Sequence, residues 1–587
     1  MIHHNAMKFI YFFLIYGLLQ TSVSAQTPKA DILFDNWEYF RAAKLYTEVA
    51  AKKPGAAIYF KLGECYRKMH LYRDEVAAYD KVNAFGLFDK SEFYLHYAVS
   101  LRSTGRDADA KAAYDTYCSL APSDFRGPFL RAAIDIANTD HQWDVPVTMT
   151  NVSSVNTPNA DLCPVLYKDG IVFTSNRKSP GHNKIYGWTG ASYLDLYYAA
   201  KSKNDSNYTD VSPFGGSRII KKFNDGPACF SQNFDTIYIS RVDRDMSTTA
   251  NLNVANKNAL GIDRVKIFTS AMVHGKWTKA VPLHLNSDAY SVANPYLSKD
   301  GSRLYFVSDM PGGYGETDIY YCNREGTTWG QPLNMGGNVN TFNRESYPSE
   351  DAGGNFYFAS DGYQGFGGLD ICVALNKHGQ LEKAIPLKYP FNSPQDDFGI
   401  MFLRDMKSGY ITSNRYEGGT GDDDIFFFDL SKNTINSELT TTIYTIGYRP
   451  IKHDLPMPQI VSPTVSIAKQ ISMPTNFVIY FDLDKYFIRP DAIMHLDSLV
   501  TIMNDFPNLT LLASGNCDCR GGTDHNRKLA VKRSNAALMY LNGKGINADR
   551  LQGEGYGTKR SPVKCKEGKL YSSDMHQLER RAEFHLQ

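Results

Sequence analysis

The chain has 587 residues, enough for several domains with separate hydrophobic cores. Its 63 basic and 62 acidic residues give a formal net charge of +1, which excludes a long-range attraction of the whole chain to nucleic acid or another acidic polymer. Aromatic residues make up 13% of the chain, and this content favours strand-rich folded domains over disorder.

Residues 1–25 contain a short hydrophobic segment. Met7–Ala25 has one lysine, an apolar run of about eleven residues, and small residues at Val23 and Ala25. The pattern predicts a secretory signal peptide cleaved after Ala25, because a membrane-spanning helix requires roughly 20 apolar residues. No cysteine lies near the predicted cleavage site, so we expect an exported protein without a lipoprotein anchor.

The sequence from residue 30 to residue 122 repeats with a period of about 35 residues, within a predicted helical domain of residues 26–140. The matched positions are occupied by Ala42, Glu75 and Ala110 and, four residues later, by Tyr46, Tyr79 and Tyr114. The pattern resembles tetratricopeptide repeats, in which small residues let paired helices approach and aromatic residues fill the space between them. We therefore expect an α-helical solenoid capped by Gly127–Asp140, with a concave face that receives a partner protein.

Residues 141–432 consist of short apolar and aromatic strands separated by Gly, Asp and Asn. One unit recurs five times, and each copy carries an anchor serine: Ser175, Ser240, Ser308, Ser360 and Ser413. The units resemble the WD-like repeats of TolB-type proteins, which implies an all-β propeller with one four-stranded blade per copy. Five copies favour five blades, and a sixth could be assembled from Val145–Val152 and Thr440–Tyr448.

An aspartate followed by two apolar residues recurs in four of these copies, at Asp195, Asp318, Asp370 and Asp424. We interpret these residues as closing hairpin turns through side-chain-to-backbone hydrogen bonds, with calcium binding as the alternative. The region has no nucleophile elbow, no metal-spaced histidine cluster and no phosphate-binding loop. Neither an enzyme activity nor a cofactor is predicted.

Residues 433–474 contain five prolines and few apolar runs, which predicts a semi-extended linker. Residues 475–587 then alternate between strand and helix patterns, so we expect an α/β domain with a sheet backed by helices. Its first helix begins at Pro490 and its second runs from Asp524 to Asn542, after the apolar strand Leu509–Gly515.

The segment Ser514–Asn535 carries the clearest binding motif of the chain. Asp518 is followed by Gly521, Asn526 and Arg533 at three, eight and fifteen residues. This spacing, with the later sequences GINADRLQGEGYG and ERRAEF, resembles the OmpA-like peptidoglycan-binding domain. In that family the loop aspartate and the helix arginine hold the diaminopimelate of a stem peptide, which by motif position implies Asp518 and Arg533 here. The resemblance also implies that Asn516, Gly521 and Asn526 contribute to the site.

The nine cysteines show no regular disulfide framework. Cys517 and Cys519 lie two residues apart, and a disulfide from either one to Cys565 is left open. A zinc site is not predicted, because this pair lacks a second pair of ligands at the usual spacing.

The order of signal peptide, helical repeats, propeller and OmpA-like domain resembles PorE-like periplasmic proteins associated with the type IX secretion system of Bacteroidetes-type bacteria. The resemblance implies a non-enzymatic periplasmic tether. Its C-terminal domain would bind peptidoglycan, and its repeats and propeller would hold an outer-membrane complex that serves secretion or gliding. Two alternatives stay open, a wall-targeted enzyme and a sensor of a small ligand or glycan, each using the mouth of the propeller.

Overall fold

The computed structural model describes residues 27–586 except 89, 123, 140–146, 179–184, 203–206, 220–222, 244–263, 288–289, 311, 431–476, 482–484, 487, 489, 507–508, 519, 521, 545, 561–575 and 577. The predicted signal peptide and the predicted linker lie outside the described residues. The chain divides into two compact units, one formed by Met1–Leu283, Asn294–Ser302 and Tyr347–Tyr448 and the other by His284–Ala293, Arg303–Ser346 and Arg449–Gln587.

The N-terminal part of the first unit is helical, as the repeat pattern predicts. Its helices are α1 (27–35), α2 (Tyr39–Lys52), α3 (Ala56–Lys68), α4 (Tyr72–Ala84), α5 (Ser91–Ser103), α6 (Asp107–Leu120) and α7 (Arg126–Thr139). From α2 onward, each helix packs against the next one along the chain. A Cβ atom at Gly63 would lie 2.2 Å from the ring of Tyr79, so this glycine allows α3 and α4 to approach closely.

Antiparallel sheets form the middle of the chain. Their strands are β1 (Thr148–Asn151), β2 (Asp161–Tyr167), β3 (Gly170–Ser175), β4 (Asp195–Lys201), β5 (Tyr208–Pro213), β6 (Asp225–Phe230), β7 (Thr236–Asp243), β8 (Arg264–Val273), β9 (Lys276–Trp277), β10 (Val281–Pro282), β11 (Val292–Leu297), β12 (Arg303–Ser308), β13 (Asp318–Glu325), β14 (Thr328–Trp329), β15 (Leu333–Asn334), β16 (Glu345–Glu350), β17 (Phe356–Ser360), β18 (Asp370–Ala374), β19 (Asn376–Lys377), β20 (Gln380–Leu381), β21 (Ile385–Pro386), β22 (Asp397–Phe402), β23 (Ser408–Ser413) and β24 (Asp424–Asp429). The five repeat copies supply, in order, β2–β5, β6–β10, β11–β15, β16–β21 and β22–β24. The first sheet has the strand order β2-β3-β4-β5, in which each strand pairs with its neighbours in the chain.

The sheet of the fifth copy contains one strand from the start of the region. β1 pairs antiparallel with β24, from Thr148 opposite Asp429 to Asn151 opposite Phe426. The resulting order is β1-β24-β23-β22. The strand Thr148–Asn151, which is the part of Val145–Val152 that the structure shows as strand, therefore belongs to the fifth sheet and not to a sixth blade. Thr440–Tyr448, the other half of that suggestion, lies outside the described residues.

The recurrent aspartates close turns at the start of the third strand of their copies. Asp318 accepts hydrogen bonds from the backbone N–H groups of Tyr314 at 2.5 Å and Gly315 at 2.9 Å. Asp370 and Asp424 accept equivalent bonds from the residues three and four positions before them. The turn interpretation is confirmed at these three positions.

A recurrent asparagine, which the sequence analysis did not predict, links its own copy to a strand of another copy. Asn392 accepts a hydrogen bond from Ile371 N at 2.7 Å and donates one to Ile371 O at 3.0 Å. The same two bonds join Asn340 to Ile319 and Asn156 to Ile425. Each asparagine precedes by five residues the acidic residue that begins the first strand of its own copy: Asp161, Glu345 or Asp397.

The helices of the first unit contact its sheets through polar groups, of which Tyr72, Arg102 and Asp396 are buried. The Tyr72 hydroxyl donates to Asp396 at 2.8 Å, and His70 Nδ1 lies 3.1 Å from the same carboxylate. The Arg102 guanidinium donates to Gly365 O in the loop before β18. Since each donor is on or beside a helix and each acceptor is in the sheet region, these bonds hold the two regions together.

Below that loop, burial raises the pKa of Asp370 to about 8, although the nearby Arg102 opposes the rise. The unfolded carboxyl has an ordinary pKa near 4, so the folded chain binds the extra proton between about pH 4 and pH 8. The free energy of unfolding should therefore fall as pH rises through this range. Asp370→Asn keeps the acceptor for Phe366 and Gly367 and should remove this part of the fall, so that it is more stable than the wild-type chain at pH 8.5.

Urea denaturation between pH 5 and pH 8.5, followed by circular dichroism, tests this prediction. The matched control is Asp300→Asn at an exposed carboxylate, whose pKa is lowered to about 2 by hydrogen bonds from Ser298 and Ser302. This control should bring no gain at pH 8.5. Parallel pH profiles for Asp370→Asn and the wild-type chain would contradict the prediction.

The C-terminal part of the second unit is an α/β domain, as predicted. Its elements are β25 (Phe477–Tyr480), α8 (Pro490–Asp505), β26 (Leu511–Asn516), α9 (Thr523–Gly543), β27 (Leu551–Gly557) and β28 (Arg581–Leu586). The sheet order is β25-β28-β26-β27, with β26 and β27 parallel and the other pairs antiparallel. Leu496, Leu499 and Met503 of α8 are fully buried in the core between helices and sheet.

Candidate functional site

The predicted site residues lie where β26 ends and α9 passes beside it. A Cβ atom at Gly515 would lie 1.8 Å from the carbonyl oxygen of Ala530. Only glycine therefore allows the strand and the helix to come this close. The approach places residues 516–518 next to the part of α9 that carries Asn526 and Arg533.

Arg533 lies inside the domain, with 0% of its surface exposed. Its Nε donates to Lys485 O at 2.9 Å and its Nη1 donates to Asn516 O at 2.7 Å. The guanidinium carbon lies 5.2 Å from the ring centre of Phe481. The charge is thus held between backbone carbonyl groups and an aromatic ring at the end of β26.

Asp518 is also buried, with 4% of its surface exposed, and it pairs with two arginines. Its Oδ2 accepts from Arg520 Nη2 at 2.6 Å, from Arg520 Nε at 3.2 Å and from Arg580 Nη1 at 3.0 Å. Its Oδ1 accepts from the backbone N–H of Arg520 at 3.1 Å. Burial alone would raise the pKa of Asp518, but these donors outweigh it and hold the pKa below its usual value, so the group is a carboxylate at neutral pH.

Two asparagines complete the described part of the site. Asn526 Nδ2 donates to Asp518 O at 3.1 Å and to Arg520 O at 3.0 Å, which fixes the loop against α9. Asn516 Nδ2 donates to Ser514 O at 3.0 Å, while its buried Oδ1 has no hydrogen-bond partner among the described residues. Gly521, the remaining predicted site residue, lies outside the described residues.

Cys517 carries a thiol and no disulfide, so the bridge to Cys565 considered for it is wrong in this structure. Its Sγ donates to Asn526 O at 3.2 Å. Cys519 and Cys565 lie outside the described residues. In the parts of the chain that the structure describes, no group of three or more His, Cys, Asp or Glu side chains could hold a metal ion.

Asn526 thus contacts the backbone of Asp518, and Arg533 contacts the backbone of Asn516. The binding role of these residues stays a prediction. Sequence reasoning missed Arg520 and Arg580, the two ion-pair partners of Asp518. Arg520 is two residues away and was visible in the motif, whereas Arg580 is 62 residues away and reaches the site only through the fold. The carboxylate of Asp518 thus pairs with one buried cation, Arg580, and one partly exposed cation, Arg520.

The C-terminal domain is similar in sequence to known proteins. Residues 480–570 match the model of the OmpA family. The peptidoglycan-associated lipoprotein of Haemophilus influenzae is 33% identical over 96 residues, 16% of this chain and 63% of that protein. The corresponding lipoprotein of Pasteurella multocida is 30% identical over 96 residues, again 16% of this chain and 64% of that protein. The chain thus spans less than two thirds of the length of these relatives.

One solved structure with a detected similarity is the peptidoglycan-associated lipoprotein from Burkholderia pseudomallei. It is 23% identical, has a TM-score of 0.17, and covers 19% of this chain and 89% of that chain. The periplasmic domain of Helicobacter pylori MotB is 16% identical with a TM-score of 0.17, covering 20% of this chain and 78% of that one. Within the described ranges, no helix is long and apolar enough to cross a membrane. The family match over residues 480–570 identifies the C-terminal domain as OmpA-like.

Proposed function

We propose that this chain is a periplasmic tether whose C-terminal domain binds the stem peptide of peptidoglycan. The observation that carries this proposal is that α9 holds the end of β26 at both motif positions, in a domain that matches the OmpA family. Asn526 of α9 donates to Asp518 O, and Arg533 of the same helix donates to Asn516 O. A diaminopimelate centre offers an ammonium group, which suits the carboxylate of Asp518. It also offers a carboxylate, which suits the guanidinium of Arg533. Asn516, Gly521 and Asn526 would shape the loop around this centre.

The sheets of the middle region are proposed to form a closed propeller of five blades. Asn340 joins the third copy to the fourth, and Asn392 joins the fourth to the fifth. Asn156, in front of the first copy, makes the same two bonds to Ile425 of the fifth. The same pair of asparagine bonds thus joins the last copy to the first, which supports a closed ring. The pairing of β1 with β24 supports it too, because it joins the start of the region to its end.

The helices before this ring are proposed to form a tetratricopeptide solenoid, and the two together to hold an outer-membrane protein complex of the type IX secretion or gliding kind. The bonds from Tyr72 to Asp396 and from Arg102 to Gly365 support a joint role. A partner bound by the helices would therefore also be attached to the sheet region, and a partner of the sheets to the helices. The proposed role is mechanical and involves no catalytic step.

Retention of the full chain on insoluble peptidoglycan sacculi tests the proposal. We expect the chain to sediment with sacculi and to be released by a soluble muropeptide whose diaminopimelate carries its amine. The same muropeptide with that amine acetylated is the matched control, and it should release far less. A chain that stays in the supernatant, or equal release by both muropeptides, would overturn the assignment.

A further inference from the structure

The two arginines on Asp518 differ in how firmly they are held. The side chain of Arg580 is 8% exposed, and its Nε also donates to Phe481 O at 3.2 Å. The side chain of Arg520 is 42% exposed. Arg580 is therefore held inside the domain. The guanidinium of Arg520 lies at the surface, where it can move away from Asp518 into solvent.

Both side-chain bonds from Arg520 use the same oxygen of Asp518. Nη2 and Nε of Arg520 approach Oδ2 at 2.6 and 3.2 Å. The bond to Oδ1 comes from the backbone N–H of Arg520 at 3.1 Å and does not depend on its side chain. If the guanidinium swings outward, the carboxylate therefore keeps its backbone bond and its pair with Arg580.

We propose that Arg520 is a built-in competitor for the ligand: its guanidinium occupies the position on Asp518 that the ammonium group of the bound zwitterion takes over. This inference rests on the proposed function, since it presumes a ligand with an ammonium group at Asp518. Binding is then an exchange of one cation for another on a buried carboxylate. A ligand without a cation cannot make this exchange, because it would leave Asp518 with less compensation for its buried charge.

The exchange predicts how salt acts on the affinity. In the wild-type chain the ligand forms one ion pair at Asp518 while the Arg520 pair is broken, so the number of pairs there does not change. Without the Arg520 guanidinium, binding would add a pair. Salt screens partly exposed ion pairs, so the affinity should depend on salt more strongly once Arg520 is neutral.

Arg520→Gln in the full chain tests the inference, with Arg527→Gln as the matched control. Arg527 is exposed on α9, so the control makes the same change of charge near the site. Calorimetry with a diaminopimelate muropeptide should show about threefold to tenfold tighter binding for Arg520→Gln, because the partly exposed Arg520–Asp518 ion pair no longer has to be broken. Arg527→Gln should bind like the wild-type chain.

A second titration uses the muropeptide with its amine acetylated. Arg520→Gln should show no gain for this ligand, and with the unmodified ligand its affinity should fall more steeply with salt than that of the wild-type chain. Weaker binding by Arg520→Gln would overturn the inference and make Arg520 a direct ligand contact. Equal affinities with a binding wild-type chain would overturn the inference alone. Failure of both chains to bind would overturn the proposed function as well.

Discussion

A chain that carries both Asp518→Ala and Arg533→Ala should lose at least about 100-fold of its affinity for a diaminopimelate muropeptide. Each residue is proposed to make a charge-assisted hydrogen bond to the zwitterion, and such bonds contribute about 1.5–3 kcal/mol each. Losing both removes the partner of the ammonium and the partner of the carboxylate. Isothermal titration calorimetry on the full chain measures the loss directly.

Arg533 also supports the fold, because its guanidinium donates to Lys485 O and Asn516 O. A single variant, Asp518→Asn, leaves the bonds of Arg533 in place, but it also removes the counter-ion of the buried Arg580, so its folding is checked by circular dichroism. It keeps the shape of the side chain while removing the negative charge that the ammonium needs. The matched control, Asp524→Ala with Lys528→Ala, removes one acid and one base from exposed positions on α9 and should bind normally. Unchanged affinity in a folded Asp518→Asn chain would contradict the assigned role of this carboxylate.

Much of this site could be predicted from the sequence, because most of its residues are close together along the chain. Asp518, Asn526 and Arg533 lie on one loop and the helix that follows it, so their spacing almost fixes their relative positions. Gly515 completes the arrangement by allowing β26 to reach Ala530. Local geometry of this kind depends little on the order of strands in the sheet.

The partners of Asp518 depend on that order. Arg580 immediately precedes β28, and β28 lies between β25 and β26 in the sheet. The sequence predicts a last strand there but not its position between two earlier ones, so the pair of Arg580 with Asp518 could not be foreseen. Cys517 shows the same limit. Its place beside Asn526 O follows from the packing of the loop against α9, not from the spacing of the cysteines.

The middle region shows how a recurrent pattern is missed when its residue type has an ordinary explanation. Asn156, Asn340 and Asn392 sit in segments rich in turn-forming residues, where asparagine is expected for local reasons. Their side chains instead bond to strands of another copy. Only the position of these strands beside each asparagine reveals this role.

Breaking a buried ion pair in the fifth copy is expected to reduce the stability of its sheet strongly. Asp397, with 0% exposure, lies 2.5 Å from Nη2 of Arg415, whose side chain is 8% exposed. Equivalent pairs join Asp161 to Arg177 and Asp225 to Arg241. Each acid begins the first strand of its copy, and each arginine lies near the end of the second strand, so the pairs link neighbouring strands at one end of the sheet.

Asp397→Ala should reduce the local free energy of unfolding by about 3–5 kcal/mol, because it leaves the Arg415 charge buried without its counter-ion. It also removes the acceptor for Ser393 N and Ser393 Oγ, at 2.6 and 2.7 Å. Hydrogen exchange measured by mass spectrometry on peptides from β22–β24 reports this loss, since exchange there follows local opening.

Two further variants separate the charge from other effects of the substitution. Glu382→Ala breaks an exposed pair with Lys377 in the fourth copy and should cost less than about 1 kcal/mol. Asp397→Leu together with Arg415→Leu removes both buried charges, so it should be more stable than Asp397→Ala even though it contains more changes. If Asp397→Ala exchanges no faster than Glu382→Ala, the pair does not stabilise the sheet. In that case Arg415 is sufficiently satisfied by Pro390 O and Phe391 O, to which it also donates.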